Sequence, residues 1–169
     1  MSQEPEKGVP VRELVNQAEL TCAVGSVVVN FSALEEGLHD AIWLLSGADN
    51  SAVHVLTAGM AFRILVEKLG ALCEESGTAR VPKEEVHEFC AHLQSLNQER
   101  NRIVHSAWAW DDDLVQRYKR TAKGRGGFSL TVSDVEIDEI RRFGLEIGEA
   151  VKKLWEIVPL EDEPAAGEG

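Results

Sequence analysis

Val24, Val28, Phe31, Leu34, Leu38, Ile42 and Leu45 recur at intervals of three and four residues, a single apolar stripe sustained over about six helical turns. A stripe of that length commits the chain to burying one face of a long helix against other helices, because neither a strand nor a solvated helix has use for the spacing. The helix is expected to begin near Val11, behind Pro10, and to stop at Gly47. Gly25, Gly37 and the β-branched run Val27-Val28-Val29 lower its intrinsic propensity, so tertiary packing has to hold it.

Further helices follow from the same logic. Asp49, Asn50 and Ser51 offer N-cap oxygens for a second helix with apolar positions at Val53, Leu56, Met60, Ile64, Leu65, Leu69 and Leu72, closing near Gly77. Pro82 suits the first position of a third helix, Glu84 and Glu85 complement its dipole, and it is expected to run to about Trp108. Beyond Asp111-Asp112-Asp113 the period changes to two, with Phe128, Leu130 and Val132 alternating with Ser129 and Thr131. That predicts a β-hairpin from Leu114 to Val132, turned by Gly124-Arg125-Gly126-Gly127. Ser133 and Glu136 read as a capping box for a last helix carrying Ile137, Ile140, Gly144, Ile147, Val151, Leu154 and Val158. The expected fold is all-α: an antiparallel four-helix bundle with a small β-hairpin inserted before the last helix.

With 169 residues, 44% of them hydrophobic, the chain can bury one substantial core. One domain is expected over 11–158, between a disordered stretch at 1–10 and a disordered acidic tail at 159–169. No run of about 18 apolar residues interrupts this picture, and Met1 to Lys7 is polar rather than signal-like, so a cytoplasmic protein with no membrane partner is expected. Cys22, Cys73 and Cys90 are odd in number and far apart, which supports neither a disulfide framework nor a zinc knuckle; they read as buried thiols. The net charge of -12 weighs against a nucleic-acid ligand, which ordinarily meets a basic surface. Part of the acidic excess is local, in Glu161-Asp162-Glu163 and Glu168, whereas Arg117, Lys119, Arg120, Lys123 and Arg125 gather positive charge ahead of the last helix. Those five serve either as a solvated loop or as a patch that guides phosphate.

Within the third helix, Arg100-Asn101-Arg102-Ile103-Val104-His105 sets a guanidinium and an imidazole among apolar and amide residues. Arg grips phosphate in a bidentate way and His exchanges a proton near neutrality, a pairing suited to chemistry on a phosphodiester. The motif, Arg100 and Asn101 followed after a short spacer by His105, resembles the signature of the HEPN family of helical domains. Leu14 to Val158 also resembles that family's antiparallel bundle with the motif on a later helix. The resemblance implies an endoribonuclease with a composite site across a homodimer, single-stranded RNA as substrate and no cofactor. It also implies a toxin or phage-defence effector partnered by an antitoxin protein.

At about 100° per residue, Arg100 and His105 project about 140° apart, while Asn101 and His105 share a face. One protomer presents them poorly to a single phosphate. A twofold axis alongside this helix would bring both pairs together; local distortion near His105 is the other solution. In a metal-independent mechanism His105 would remove the proton of a ribose 2′-hydroxyl, and Arg100 would stabilise the charge on the phosphoryl oxygens. Asn101 would orient imidazole or phosphate, and the second His105 of a dimer would protonate the leaving 5′-oxygen. The products would be a 2′,3′-cyclic phosphate and a 5′-hydroxyl, and DNA would resist because it lacks the attacking hydroxyl.

Arg100 also interrupts the apolar stripe Val86, Phe89, Leu93, Leu96, Val104 and Ala107, where a guanidinium needs a partner. Glu35 or Glu36 on the first helix is expected to hold it. The same contact would serve a different protein, in which Arg100 merely ties helices, His105 bonds near a helix end, and an acidic helical dimer binds a protein or nucleotide without catalysis. Trp108 and Trp110 either stack on a base or pack in the core, and Arg102 either meets phosphate or faces solvent. His87 and His92 lie five apart and diverge around the helix, unlike a zinc-protease pair, so no metal site is expected.

Overall fold

The computed structural model describes residues 11–77, 79–111, 114–122 and 127–158. Among them five helices and three strands follow in the order α1 (Val11–Ser46), α2 (Asn50–Thr57), α3 (Phe62–Ser76), α4 (Lys83–Val104), β1 (Ala107–Asp111), β2 (Leu114–Ala122), β3 (Phe128–Val135) and α5 (Ile137–Ile157). The molecule is mostly helical, with one antiparallel sheet in the order β1-β2-β3.

α1 is the helix on which α5, α3 and, to a lesser extent, α2 and α4 pack. Its buried stripe is Leu20, Ala23, Val27, Phe31, Leu34, Leu38, Ala41 and Ile42. The expected stripe therefore holds from Phe31 onward and turns by one position before it: Val27 is fully buried and Val28 is 38% exposed. The approach of α5 accounts for the turn. A Cβ added at Gly144 would sit 3.1 Å from Ser26 Oγ, and Asn30 Nδ2 donates to the Gly144 carbonyl at 2.8 Å. Val15–Ser46, although its apolar residues form no unbroken run, is long and apolar enough by length and composition to cross a bilayer.

The second expected helix is in fact two. Asp49 caps α2 as anticipated, its carboxylate accepting from the Ala52 N–H at 3.1 Å, but the helix stops at Thr57 and Gly59 adopts φ +74 before the chain re-enters α3. Glycine takes that left-handed conformation without a Cβ clash, and the reversal sets Phe62 against Phe31 with ring centroids 4.6 Å apart. The buried Thr57 hydroxyl donates to the Val53 carbonyl at 2.9 Å, so its oxygen is left to accept from His39 Nδ1–H at 2.8 Å. This bond ties α2 to α1 and selects the histidine tautomer. Gly77, φ +62, closes α3 as expected.

Pro82 is the N-cap of α4 rather than its first residue, and α4 ends at Val104, short of Trp108. Ile103, not Val104 or Ala107, carries the buried stripe at this end. The residues beyond become an edge strand because Trp108 and Trp110 favour extended backbone and β2 offers a ladder: Ala107 pairs with Tyr118 and Asp111 with Leu114. The anticipated hairpin is therefore part of a three-stranded sheet, and β3 continues to Val135, which pairs with Val115. Ser133 lies inside β3 opposite Arg117 and does not cap α5, whose N-cap Glu136 makes no side-chain bond. Of the predicted turn, only Gly127 (φ +94) is among the described residues; 1–10 and 159–169 lie outside them.

Candidate functional site

The end of α4 divides the motif between two environments. Arg100 is half-buried, its Cζ 4.8 Å from the centre of the Phe31 ring on α1. Its Nη1 donates to Asn101 Oδ1 at 2.9 Å, and Asn101 Nδ2 donates to Asn97 Oδ1 at 3.4 Å. The Nε is buried without a hydrogen-bond partner. No ion pair or hydrogen bond joins Arg100 to Glu35 or Glu36 among the described residues. Phe31, one turn before Glu35 on α1, takes the place expected for a carboxylate, and the guanidinium is held by the face of an aromatic ring instead.

His105 is exposed and forms the C-cap of α4, its backbone N–H donating to the Asn101 carbonyl at 3.2 Å. It lines a cavity of about 550 Å³ together with Ala107, Trp108, Ala109, Tyr118, Arg120 and Leu130. Arg100 and Asn101 do not line that cavity. The backbone bond between His105 and Asn101 connects the two halves of the motif.

The basic residues also part company. Arg102 Nη1 meets Glu99 Oε2 at 2.7 Å and Arg117 Nη1 meets Glu99 Oε1 at 3.4 Å, so one carboxylate engages both cations. Strand alternation explains the difference from Arg120. Trp108, Arg117 and Ser133 stand in register on one face, and Trp108 packs against the core from there along with Val115 and Val135. Tyr118 and Arg120 belong to the other face. Lys119 and Arg120 are exposed and have no ion-pair partner among the described residues; Lys123 and Arg125 lie outside those residues.

Sequence reading missed Phe31 as the seat of Arg100 and Tyr118 as a neighbour of His105. Phe31 stood on the first apolar stripe one turn from Glu35, and Tyr118, the single tyrosine of the chain, stood two residues from Arg120 in a segment with strand period.

A larger cavity, about 590 Å³, lies between α3 and α4 and includes Arg63, Glu74, His87 and Cys90. Its charged groups are already paired, Arg63 with Glu67 and His87 with Glu74. Burial, then Cys73 and Glu74, pushes the Cys90 thiol up to about 11, away from the thiolate a nucleophile requires. Among the described residues no three His, Cys, Asp or Glu side chains come together as a metal-binding group. No family model, no curated protein and no solved structure matches the chain.

Proposed function

We propose that the protein is a metal-independent endoribonuclease of the HEPN type acting on single-stranded RNA. The observation that carries this reading is the placement of His105: an exposed imidazole at a helix end, opening into a cavity whose lining contains a guanidinium and a phenol but no carboxylate. α1, α3, α4 and α5 are the four longer helices, and we assign them to the bundle that the motif implies. His105 takes the proton of the 2′-hydroxyl, which attacks the adjacent phosphorus, and a second His105 in a homodimer returns a proton to the 5′-oxygen. Arg100 and Asn101 are positioning residues in this scheme. The guanidinium over Phe31 and the Asn101 amide hold the last turn of α4, from which the Asn101 carbonyl fixes His105.

Labelled single-stranded RNA incubated in EDTA with the wild type and with His105→Ala tests the reading. Cleavage by the wild type alone, leaving 2′,3′-cyclic phosphate ends and sparing DNA of the same sequence, is the expected result. Absence of cleavage across diverse RNAs, with a folded protein, removes it. A second reading, an acidic helical dimer that binds a protein or nucleotide without catalysis, is favoured by the net charge of -12 and by the structural use of Arg100. It survives that negative outcome.

A further inference from the structure

We infer that the outer face of the sheet beside His105 is the seat of a single-stranded RNA segment, with a base against the Tyr118 ring and the neighbouring phosphate on the Arg120 guanidinium. The inference takes its substrate class from the ribonuclease reading and adds where that substrate lies and which cation of the same chain meets it.

Register and side-chain size build the seat. Ala107 pairs with Tyr118 and Ala109 with Gln116, while Arg120 pairs with Leu130 and Tyr118 with Val132. Directly paired residues share a face and alternate residues return to it, so Ala107, Ala109, Tyr118, Arg120, Leu130 and Val132 stand together, opposite the face that Val115 and Trp108 turn to the core. The methyl side chains of β1 leave the flank of the Tyr118 ring uncovered, and the cavity opens there. The ring is also held in place: the Tyr118 hydroxyl donates to Gln116 Oε1 at 2.8 Å, and Gln116 Nε2 donates to Asp134 Oδ1 at 3.2 Å. A platform fixed in advance loses little conformational freedom when a base lands on it.

Charge selects the occupant. In a chain of net charge -12 the lining of this cavity contains no acid, and its one cation, Arg120, is unpaired among the described residues. Several other cations are taken: Arg117 and Arg102 by Glu99, Arg141 by Glu19 and Asp138, Lys153 by Glu85 and Glu156. Lys68, Arg80, Lys83 and Lys119 share with Arg120 the lack of an ion-pair partner among the described residues, but none of them lines this cavity. An open guanidinium beside a phenol and an imidazole fits an anion that carries an aromatic ring, which is a nucleotide. Leu130 and Val132, 48% and 45% exposed on the same face, continue the apolar surface for a second base. Arg120 also answers the difficulty left by Arg100, since a cation from β2 reaches the His105 cavity without a second chain.

Binding is measured by fluorescence anisotropy of a labelled oligouridylate at low salt, using the full chain with His105→Ala so that nothing is cleaved. Arg120→Ala and Tyr118→Ala are expected to weaken binding about tenfold or more each, Tyr118→Phe to retain it, and Arg120→Ala to flatten the log–log salt dependence by about 0.7. Lys152→Ala, on α5 and paired with Glu149, is expected to change nothing. Binding that Arg120→Ala leaves as tight and as salt-dependent as before overturns the inference. So does a loss of dimer mass in Arg120→Ala with RNA binding unaltered, which makes the face a protein contact. Wild type that cleaves RNA while the Arg120 and Tyr118 variants cleave and bind as it does defeats the seat and leaves the ribonuclease reading standing. Binding that follows the expected pattern without any cleavage by wild type does the reverse.

Discussion

Arg100 and His105 are five residues apart and belong to different parts of the molecule. Arg100 sits on the seam between α1 and α4, over an aromatic ring, with one N–H buried and unpaired. His105 stands at the sheet, exposed, beside a cation, Arg120, that has no ion-pair partner among the described residues. The difference teaches that a motif read as one chemical unit can be divided by a helix end: Arg100, a turn before it, answers to the core, and His105, at the cap, answers to solvent and to the sheet.

The largest effect that sharpens this contrast is expected from His105→Ala. Under the proposed reading the rate of RNA cleavage falls by about 10²–10⁴, while the circular dichroism spectrum and urea midpoint stay as they were. A midpoint that falls along with activity would place His105 on the structural side and break the comparison.

Thiol labelling probes the same boundary through different residues. Cys22 is exposed, Cys73 is buried, and burial holds the Cys90 thiol at about 11. Near pH 8 an alkylating reagent should label one thiol in the native protein, with Cys90 at least about a hundredfold slower, and three after unfolding. Because the folded value lies above the ordinary thiol value, the stabilising contribution of the neutral Cys90 is complete below the ordinary thiol range and is lost as pH rises through about 11. Rapid labelling of Cys90 in the native state would show the α3–α4 interior to be as open as the sheet.

Arg100 variants come next. Arg100→Ala removes the stem packed on Phe31 and the bond to Asn101, and should lower stability by about 1–3 kcal/mol in urea unfolding. Arg100→Met keeps the stem and discards the buried unpaired N–H, so its stability should lie within about 1 kcal/mol of wild type. If Arg100→Met is stable and cleaves RNA like the wild type, the structural assignment of Arg100 holds. If it is stable and inactive, the guanidinium serves cleavage as well as packing, the positioning role that its bond to Asn101 gives it.

The smallest effect is expected from Glu99→Gln. Losing this half-exposed carboxylate should cost no more than about 1 kcal/mol, yet it releases Arg102 and Arg117 and should tighten RNA binding a few-fold at low salt. Unchanged binding would mean that the core-side face of the sheet is closed to RNA even when its cations are free.

Much of the helical framework was legible locally. The α1 stripe from Phe31 to Ile42, the Asp49 cap, the Gly77 stop and the heptad-spaced positions of α5 each follow from a period or a cap that a few neighbouring residues specify. What was not legible depended on partners distant in sequence. Ala107 and Trp108 read as the end of a helix until β2 pairs with them; Ser133 reads as a cap until β3 claims it; Gly59 reads as a helix residue until Phe62 has to meet Phe31. Among the site residues, the motif was legible as residue types, and the alternation of Tyr118 with Arg120 was legible as strand period. The separation of Arg100 from His105 on different sides of a helix end was not.

The order of residues alone settled that this chain would make long helices with one apolar face, interrupted by a polar segment of strand period, because helix and strand periodicities are local properties of side-chain spacing. Only the tertiary structure decided where α4 stops, what covers Arg100 and what lies open beside His105. Those outcomes turn on contacts between residues far apart in sequence, Phe31 with Arg100 and Ala107 with Tyr118, whose energies no local window contains.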